Sequence, residues 1–268
     1  MSAVLIGTSH GTDDPAGQAA VRALLDGVRA ARPELDVREA FVDVQQPEVD
    51  EVLAGAVRDA APAAVRDGSG AVSPAGGPTA VVVPLLLSTG YHVRHDIAQA
   101  VAAVNTAGEG VAVAAEPLGP HPLLVETLYA RLVEAGWPTR PHDMERRGSA
   151  VVLAAAGSRD PHAAVDTRHT AELLAERLGV PVVPAYASAA APTVAHAVRE
   201  LTARGHGRIA VASYFTAPGR FSSECAAAAP WIAAAPLGAH PSMARLALHR
   251  YDQALATPAS TVRALASA

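Results

Sequence analysis

An alternation of short apolar runs with helix-periodic segments, gone through twice, is what most restricts the fold of this chain. Val4–Gly7 is apolar and stops at Thr8-Ser9-His10-Gly11, the pattern of a buried strand opening into a loop. Gln18–Ala31 places Val21, Leu24, Leu25 and Val28 at helical spacing and stops before Pro33. A second strand is expected over Asp36–Val44, then a helix through Val49, Val52, Leu53 and Val57 with Pro47 in its first turn. Asp67–Pro78 is rich in Gly, Pro and Ser and is read as a flexible loop. A continuous apolar strand over Ala80–Leu87 follows, then Gly90-Tyr91-His92, a helix from Asp96 to Val104, a strand over Val111–Ala115 and a helix over Pro122–Ala135. From Val151 the order recurs: strand Val151–Ala155, helix Thr167–Leu178, strand Val182–Tyr186, a helix opened by Pro192, strand Arg208–Phe215 and a helix ending before Trp231. Strands separated by helices predict parallel sheets covered on both faces.

Local matches identify the recurrence as a duplication. Leu118-Gly119-Pro120-His121-Pro122 returns as Leu237-Gly238-Ala239-His240-Pro241, and Phe41-Val42-Asp43 with Pro47 returns as Tyr186-Ala187-Ser188 with Pro192. So long a repeat means two related halves rather than a solenoid. The expected organisation is an α/β protein of two homologous domains, 1–136 and 149–268, joined by a linker over 137–148, with the active site in the cleft between them.

Composition removes several function classes. The 21 basic residues are all arginine and the net charge is −5, so no basic footprint for nucleic acid is present. One cysteine, Cys225, excludes an internal disulfide and a cysteine zinc cluster. No apolar run approaches the ~20 residues that span a bilayer, and the N-terminus has no basic n-region, so a cytoplasmic protein without membrane contact is expected. No GxGxxG, Walker or GxSxG motif occurs, so no nucleotide or organic cofactor is expected. With 11 histidines against one cysteine, a metal would be held by nitrogen and oxygen.

In an open parallel sheet, ligands bind beyond the carboxyl ends of the strands. That rule selects His10 after the first strand, Asp43 at the end of the second, and His92 and His95 after the third. Two imidazoles and a carboxylate at one mouth suit a divalent metal with open coordination positions. The repeat acts as an internal control, because the second half has Ala156, Ser188 and Phe221 where the first has His10, Asp43 and His92. Taken singly, His10 could equally be a solvated loop residue and Asp43 a helix N-cap, and Ser188 would cap as well. His121 and His240 occupy the same turn in both halves and are read as structural; His142, His162, His169, His196, His206 and His249 are read as surface residues.

Three segments stand out together: the opening strand with Ser9-His10-Gly11, Phe41-Val42-Asp43-Val44-Gln45-Gln46-Pro47, and Pro84-Leu85-Leu86-Leu87 followed by Gly90-Tyr91-His92-Val93-Arg94-His95-Asp96-Ile97. They resemble the class II tetrapyrrole metal chelatases of the sirohydrochlorin/cobaltochelatase group. The resemblance spans nearly the whole chain and implies insertion of Co²⁺ or Fe²⁺ into sirohydrochlorin, toward cobalamin or siroheme. It implies His10 and His92 as metal-site and catalytic residues. The family's third, acidic position falls on Asp43, where glutamate is usual, and His95 stands in reserve. Neutral imidazole can bind metal or accept one of the two pyrrolic protons that metal insertion displaces. The substrate's many carboxylates suit guanidinium groups, and Arg94, Arg159 and Arg220 are the expected partners. The metal is substrate here, and a monomer is expected because a duplicated chain can close its own cleft. The alternatives are a metal- or tetrapyrrole-carrier on the same scaffold, a chelatase for another tetrapyrrole, or a two-lobed binding module.

Overall fold

The computed structural model of the chain describes residues 2–60, 77–108 and 110–257. The flexible loop expected at Asp67–Pro78 lies outside the described residues except for its last two. Strands β1 (Val4–Ser9), β2 (Val37–Phe41), β3 (Ala80–Pro84) and β4 (Ala112–Ala114) form one parallel sheet in the order β2-β1-β3-β4. Strands β5 (Ser149–Ala155), β6 (Val182–Tyr186), β7 (Arg208–Tyr214) and β8 (Ile232–Ala233) repeat it as β6-β5-β7-β8. All pairs are parallel, and β1 and β5 are buried along their whole length, as apolar strands covered on both faces should be.

Local chemistry sets the element ends. Helix α1 (Pro15–Ala31) begins with proline at its first position, and Asp14 Oδ1 accepts from Ala16 N at 2.8 Å. Helix α6 (Pro161–Leu178) repeats the device, with Asp160 Oδ1 accepting from His162 N at 2.9 Å. Helix α4 (Pro122–Glu134) is capped by His121, whose Nδ1 accepts from Leu123 N at 3.1 Å. Helix α9 (Pro241–Ala256) is capped by His240, whose Nδ1 accepts from Ser242 N at 3.2 Å. Burial lowers both imidazole pKa values and favours the neutral ring that such a cap requires. These two histidines are therefore structural, as their recurrence suggests.

Several expected boundaries move. The third strand ends at Pro84, not Leu87, which frees Leu85–Leu87 to line the cleft. The second ends at Phe41 because the chain turns at once: Gln45 N donates to Asp43 O at 2.5 Å around Val44, whose φ is +57°. Helix α2 (Val49–Ala60) starts two residues after Pro47, so Pro47 is not in its first turn; its carbonyl instead accepts from Phe41 N at 3.0 Å. In the second half Ala189 has the same φ of +57°, and helix α7 (Val194–Ala203) is capped by Thr193. Neither Asp43 nor Ser188 caps a helix: Asp43 Oδ1 accepts from Val44 N at 2.8 Å, and Ser188 Oγ donates to Ala156 O at 3.1 Å. Helix α3 (Ala98–Ala107) is preceded by a π-helical turn over Val93–Ile97. Helix α5 (Asp143–Gly148) falls within the expected linker, and α8 (Arg220–Ala227) ends four residues before Trp231.

The loops of both halves need glycine at one matched position. Gly11 (φ +91°) and Gly157 (φ +89°) are left-handed, and a Cβ on either would meet the carbonyl oxygen of Asp43 or Ser188. Gly157→Ala is expected to lower stability by about 2–4 kcal/mol, since it combines a disfavoured φ with a backbone overlap. Urea unfolding measures this directly, and a loss below ~0.5 kcal/mol, the scale of ordinary surface substitutions, would contradict the reading.

The last helix of each half packs on the opposite half. Helix α4 lies against α6 and β7, while α9 lies against α1 and β3, and α4 and α9 touch each other. Tyr251 of α9 donates to Ala3 O at 2.6 Å, Arg32 holds Asp252 through contacts of 2.6 and 2.8 Å, and Arg131 of α4 donates to Leu237 O at 2.9 Å. One apolar core therefore runs through both halves, from Leu5 and Leu25 to Leu153 and Leu246. Smaller clusters under α2 and α3, and under α7 and α8, seal the outer sheet faces. Trp137 is buried against Trp231 with ring centroids 5.6 Å apart. No helix among the described residues is long and apolar enough to cross a membrane.

Candidate metal-handling cleft

In the order β2-β1-β3-β4, strand connections diverge between β1 and β3, and such switch points open a crevice at the strands' carboxyl ends. The second sheet diverges likewise between β5 and β7. Residues following all four of these strands line one cavity of about 1250 Å³. That exceeds the ~300–1,000 Å³ of pockets for drug-sized ligands. Leu85, Leu86 and Leu87 from one half and Ala155, Tyr186, Tyr214 and Phe221 from the other give it broad apolar walls. Tyr214 fixes the halves together, because its hydroxyl donates to Leu87 O at 2.8 Å and lies 3.1 Å from Thr170 Oγ1. Burial pushes its phenol pKa far up, so it stays protonated.

His10 and His92 meet on the first-half wall. Their rings stand edge to face, with centroids 4.7 Å apart and planes at 85°. His10 follows β1 directly, is exposed and makes no side-chain hydrogen bond among the described residues. His92 immediately precedes the π-helical turn, and its Nδ1 lies 2.6 Å from Asp96 Oδ2. A carboxylate oxygen can only accept when ionised, so the geometry suits donation from Nδ1–H and leaves Nε2 outside this contact. The other chain ends behave differently. Asp43 is exposed and is not among the residues lining the cavity, although its neighbours Val44 and Gln45 are. Gln45 Oε1 accepts from Thr12 N at 2.9 Å, tying this loop to the one that carries His10. His95 is exposed and its ring lies 4.4 Å from that of Tyr91, itself exposed at the mouth. Among the described residues no three His, Cys, Asp or Glu side chains converge as a ready ligand set.

All three singled-out arginines line the cavity. Arg94 Nη1 lies 3.8 Å from Asp160 Oδ2 of the other half, Arg220 Nε lies 3.7 Å from Glu224, and Arg159 is exposed. These are loose pairs that an incoming anion can replace at small cost. Of the histidines read as surface residues, His142, His162, His169, His196 and His249 are exposed. His206 is the exception: it is partly covered, and its Nδ1 is buried without a partner among the described residues.

Sequence reasoning missed two cleft features. Asp96 sits four residues after His92, a spacing that signals a pair only once the helical start at Tyr91 is known; the helix expected from Asp96 hid it. Val44, a β-branched residue in the left-handed region and 49% exposed, carried no sequence signal.

Two parallel-sheet lobes around one cleft, with paired imidazoles on a single wall, define a chelatase-like α/β protein. The chain belongs to the CbiX family, whose model matches it over residues 4–135 and 150–254. It is 26% identical over 204 residues to the sirohydrochlorin ferrochelatase of Bacillus subtilis (strain 168), a match spanning 75% of this chain and 69% of that protein. Its fold is shared with SirB from Bacillus subtilis with Fe³⁺ (TM-score 0.71, 23% identity, 96% of each chain). The SirB of subspecies spizizenii in complex with cobalt is similar (TM-score 0.69, 20% identity, 96% of this chain and 97% of that one).

Proposed function

We propose that this chain inserts Co²⁺ or Fe²⁺ into sirohydrochlorin, as a metal chelatase of the lyase class. The observation carrying this reading is the edge-to-face His10–His92 pair at the lip of a large, apolar, two-walled cleft. A planar macrocycle needs broad apolar walls, and the metal must be held weakly enough to leave, which two imidazoles do better than a closed four-ligand cage. His92 presents Nε2, and His10 has both ring nitrogens available. Metal enters the four-nitrogen ring as two pyrrolic protons leave; one imidazole can take the first while the other holds the ion, and the second proton passes to water. Arg94, Arg159 and Arg220 pair with the substrate's carboxylates. Asp43 is the proposed oxygen ligand; its Oδ1 accepts from Val44 N at 2.8 Å, and its Oδ2 makes no hydrogen bond among the described residues.

In this reading residues 1–136 carry the metal-handling residues, 149–268 supply the opposite wall and 137–148 join them. The protein acts as a cytoplasmic monomer, both walls of the cleft coming from one chain, with no nucleic acid, membrane or organic cofactor. Imidazole and carboxylate serve cobalt and iron alike, so the assay runs both. Purified protein is mixed with sirohydrochlorin and either metal, and the macrocycle's absorption is followed. Conversion well above the protein-free rate with at least one metal is expected. Tight metal or tetrapyrrole binding without acceleration would overturn the enzyme in favour of a carrier.

A further inference from the structure

Resting on the reading above, we propose that Asp96 is a positioning residue that holds the His92 imidazole as its Nδ1–H tautomer and so reserves Nε2 for the metal. The contact is short: at 2.6 Å it falls just below the range of about 2.7–2.9 Å usual for charge-assisted N–H···O⁻ bonds. It joins His92, just before the π-helical turn over Val93–Ile97, to Asp96 within that turn. Such turns are rare and concentrate at functional sites. Both side chains are about one-third exposed, at 30% and 32%. A solvated pair of this kind adds little to stability, so holding the fold together is a poor explanation for it. Fixing a tautomer asks less, because the two neutral imidazole forms differ little in energy and one directed acceptor selects between them.

The second half supplies the independent observation. Where His92 is matched by Phe221, the residue four positions on, matching Asp96, is Cys225. Cys225 is buried under the outer face of the second sheet, and helix α8 runs there as a regular α-helix. Imidazole, carboxylate and π-turn are thus absent together from the copy that lacks the metal-site residues. A carboxylate needed only by the local helix would have no reason to disappear with its histidine. Carboxylates that orient metal-binding imidazoles elsewhere fix the tautomer and raise ligand basicity in this way.

The test uses the whole chain, metal-free, with Asp96→Ala, Asp96→Leu and Asp96→Glu variants. Nitrogen-15 NMR of the His92 ring at pH 8 is expected to show one Nδ1–H tautomer in the unaltered protein. It should shift toward Nε2–H in Asp96→Ala and Asp96→Leu, which lack an acceptor, and return in Asp96→Glu. Titration with Co²⁺ alone, read by its visible absorption, is expected to show affinity falling ~10–100-fold in the first two variants, with partial rescue by glutamate. Circular dichroism confirms folding, and Asp96→Leu, close in shape but without an acceptor, serves if the alanine variant unfolds. An unchanged His92 tautomer, or a Co²⁺ affinity within ~3-fold of the original, a span too small for an orienting carboxylate, would overturn the assignment. If His92→Ala itself leaves Co²⁺ binding intact, the metal role of the histidine pair fails instead, and the tautomer measurement separates the two outcomes.

Discussion

Alanine at both His10 and His92 is expected to slow metal insertion by about 10²–10⁴-fold, the contribution typical of positioned acid–base groups, with little change in thermal midpoint. His10 is exposed and bonds to nothing among the described residues, and His92 bonds only to Asp96 there, so truncation opens no core cavity. Surface substitutions of this kind stay within about ±0.5 kcal/mol. In the proposed function the rate depends on the two rings together, one holding the ion while the other takes a proton. Each single variant should therefore lose most of what the double variant loses, as groups that work as a unit do. The measurement is the initial rate at saturating tetrapyrrole with either metal, alongside a melting curve. A double variant retaining a third of the original rate would remove the pair from the chemistry and shift attention to Asp43 and His95.

Residues 1–136 produced alone are expected not to fold as a stable monomer, although they include the whole first sheet and the histidine pair. Helix α9 covers α1 and β3, and it belongs to the other end of the chain. Without it, the faces of α1 and β3 that it covers meet water. Helix α4 would lose its seat against α6 and β7. Burial of a single large apolar side chain stabilises by about 1.5–3 kcal/mol, and whole domains are stable by only ~5–15 kcal/mol. Losing one helix face is enough to unfold the half. Size-exclusion chromatography with circular dichroism would show aggregate, coil, or a dimer whose partner supplies the missing helix. A well-folded monomer with a cooperative melt close to that of the full chain would contradict the shared core.

Much of this architecture was legible from residue order. Apolar runs such as Ala80–Pro84, buried on both faces, are their own signature, and helix periodicity marked α1 and α2. The repeated Leu-Gly-x-His-Pro turn correctly picked out two structural histidines, because a cap is a local interaction and leaves a local pattern. Boundaries fared worse where a distant loop decided them. Strand β2 stops at Phe41 because the Val44 turn carries the chain toward Gly11, some thirty residues away. Pro47 looks like a helix opener from spacing alone, yet its carbonyl serves Phe41 outside the helix. The α4–α9 exchange has no sequence signal, since an amphipathic face records that it will be buried and not against what.

The site divides along the same line. Sequence alone determined that the chain is a duplicated parallel α/β protein, that ligands belong at its strand ends, and that His10 and His92 mark one half as different from the other. Those conclusions rest on periodicity and self-comparison, which need no third dimension. Tertiary structure alone decided that the two rings touch, that Asp96 is the carboxylate at His92, that Asp43 stands outside the cavity lining, and that both halves share one core. Side-chain direction past a strand end depends on how each loop packs against its neighbours, and that packing is set by residues far away in the chain.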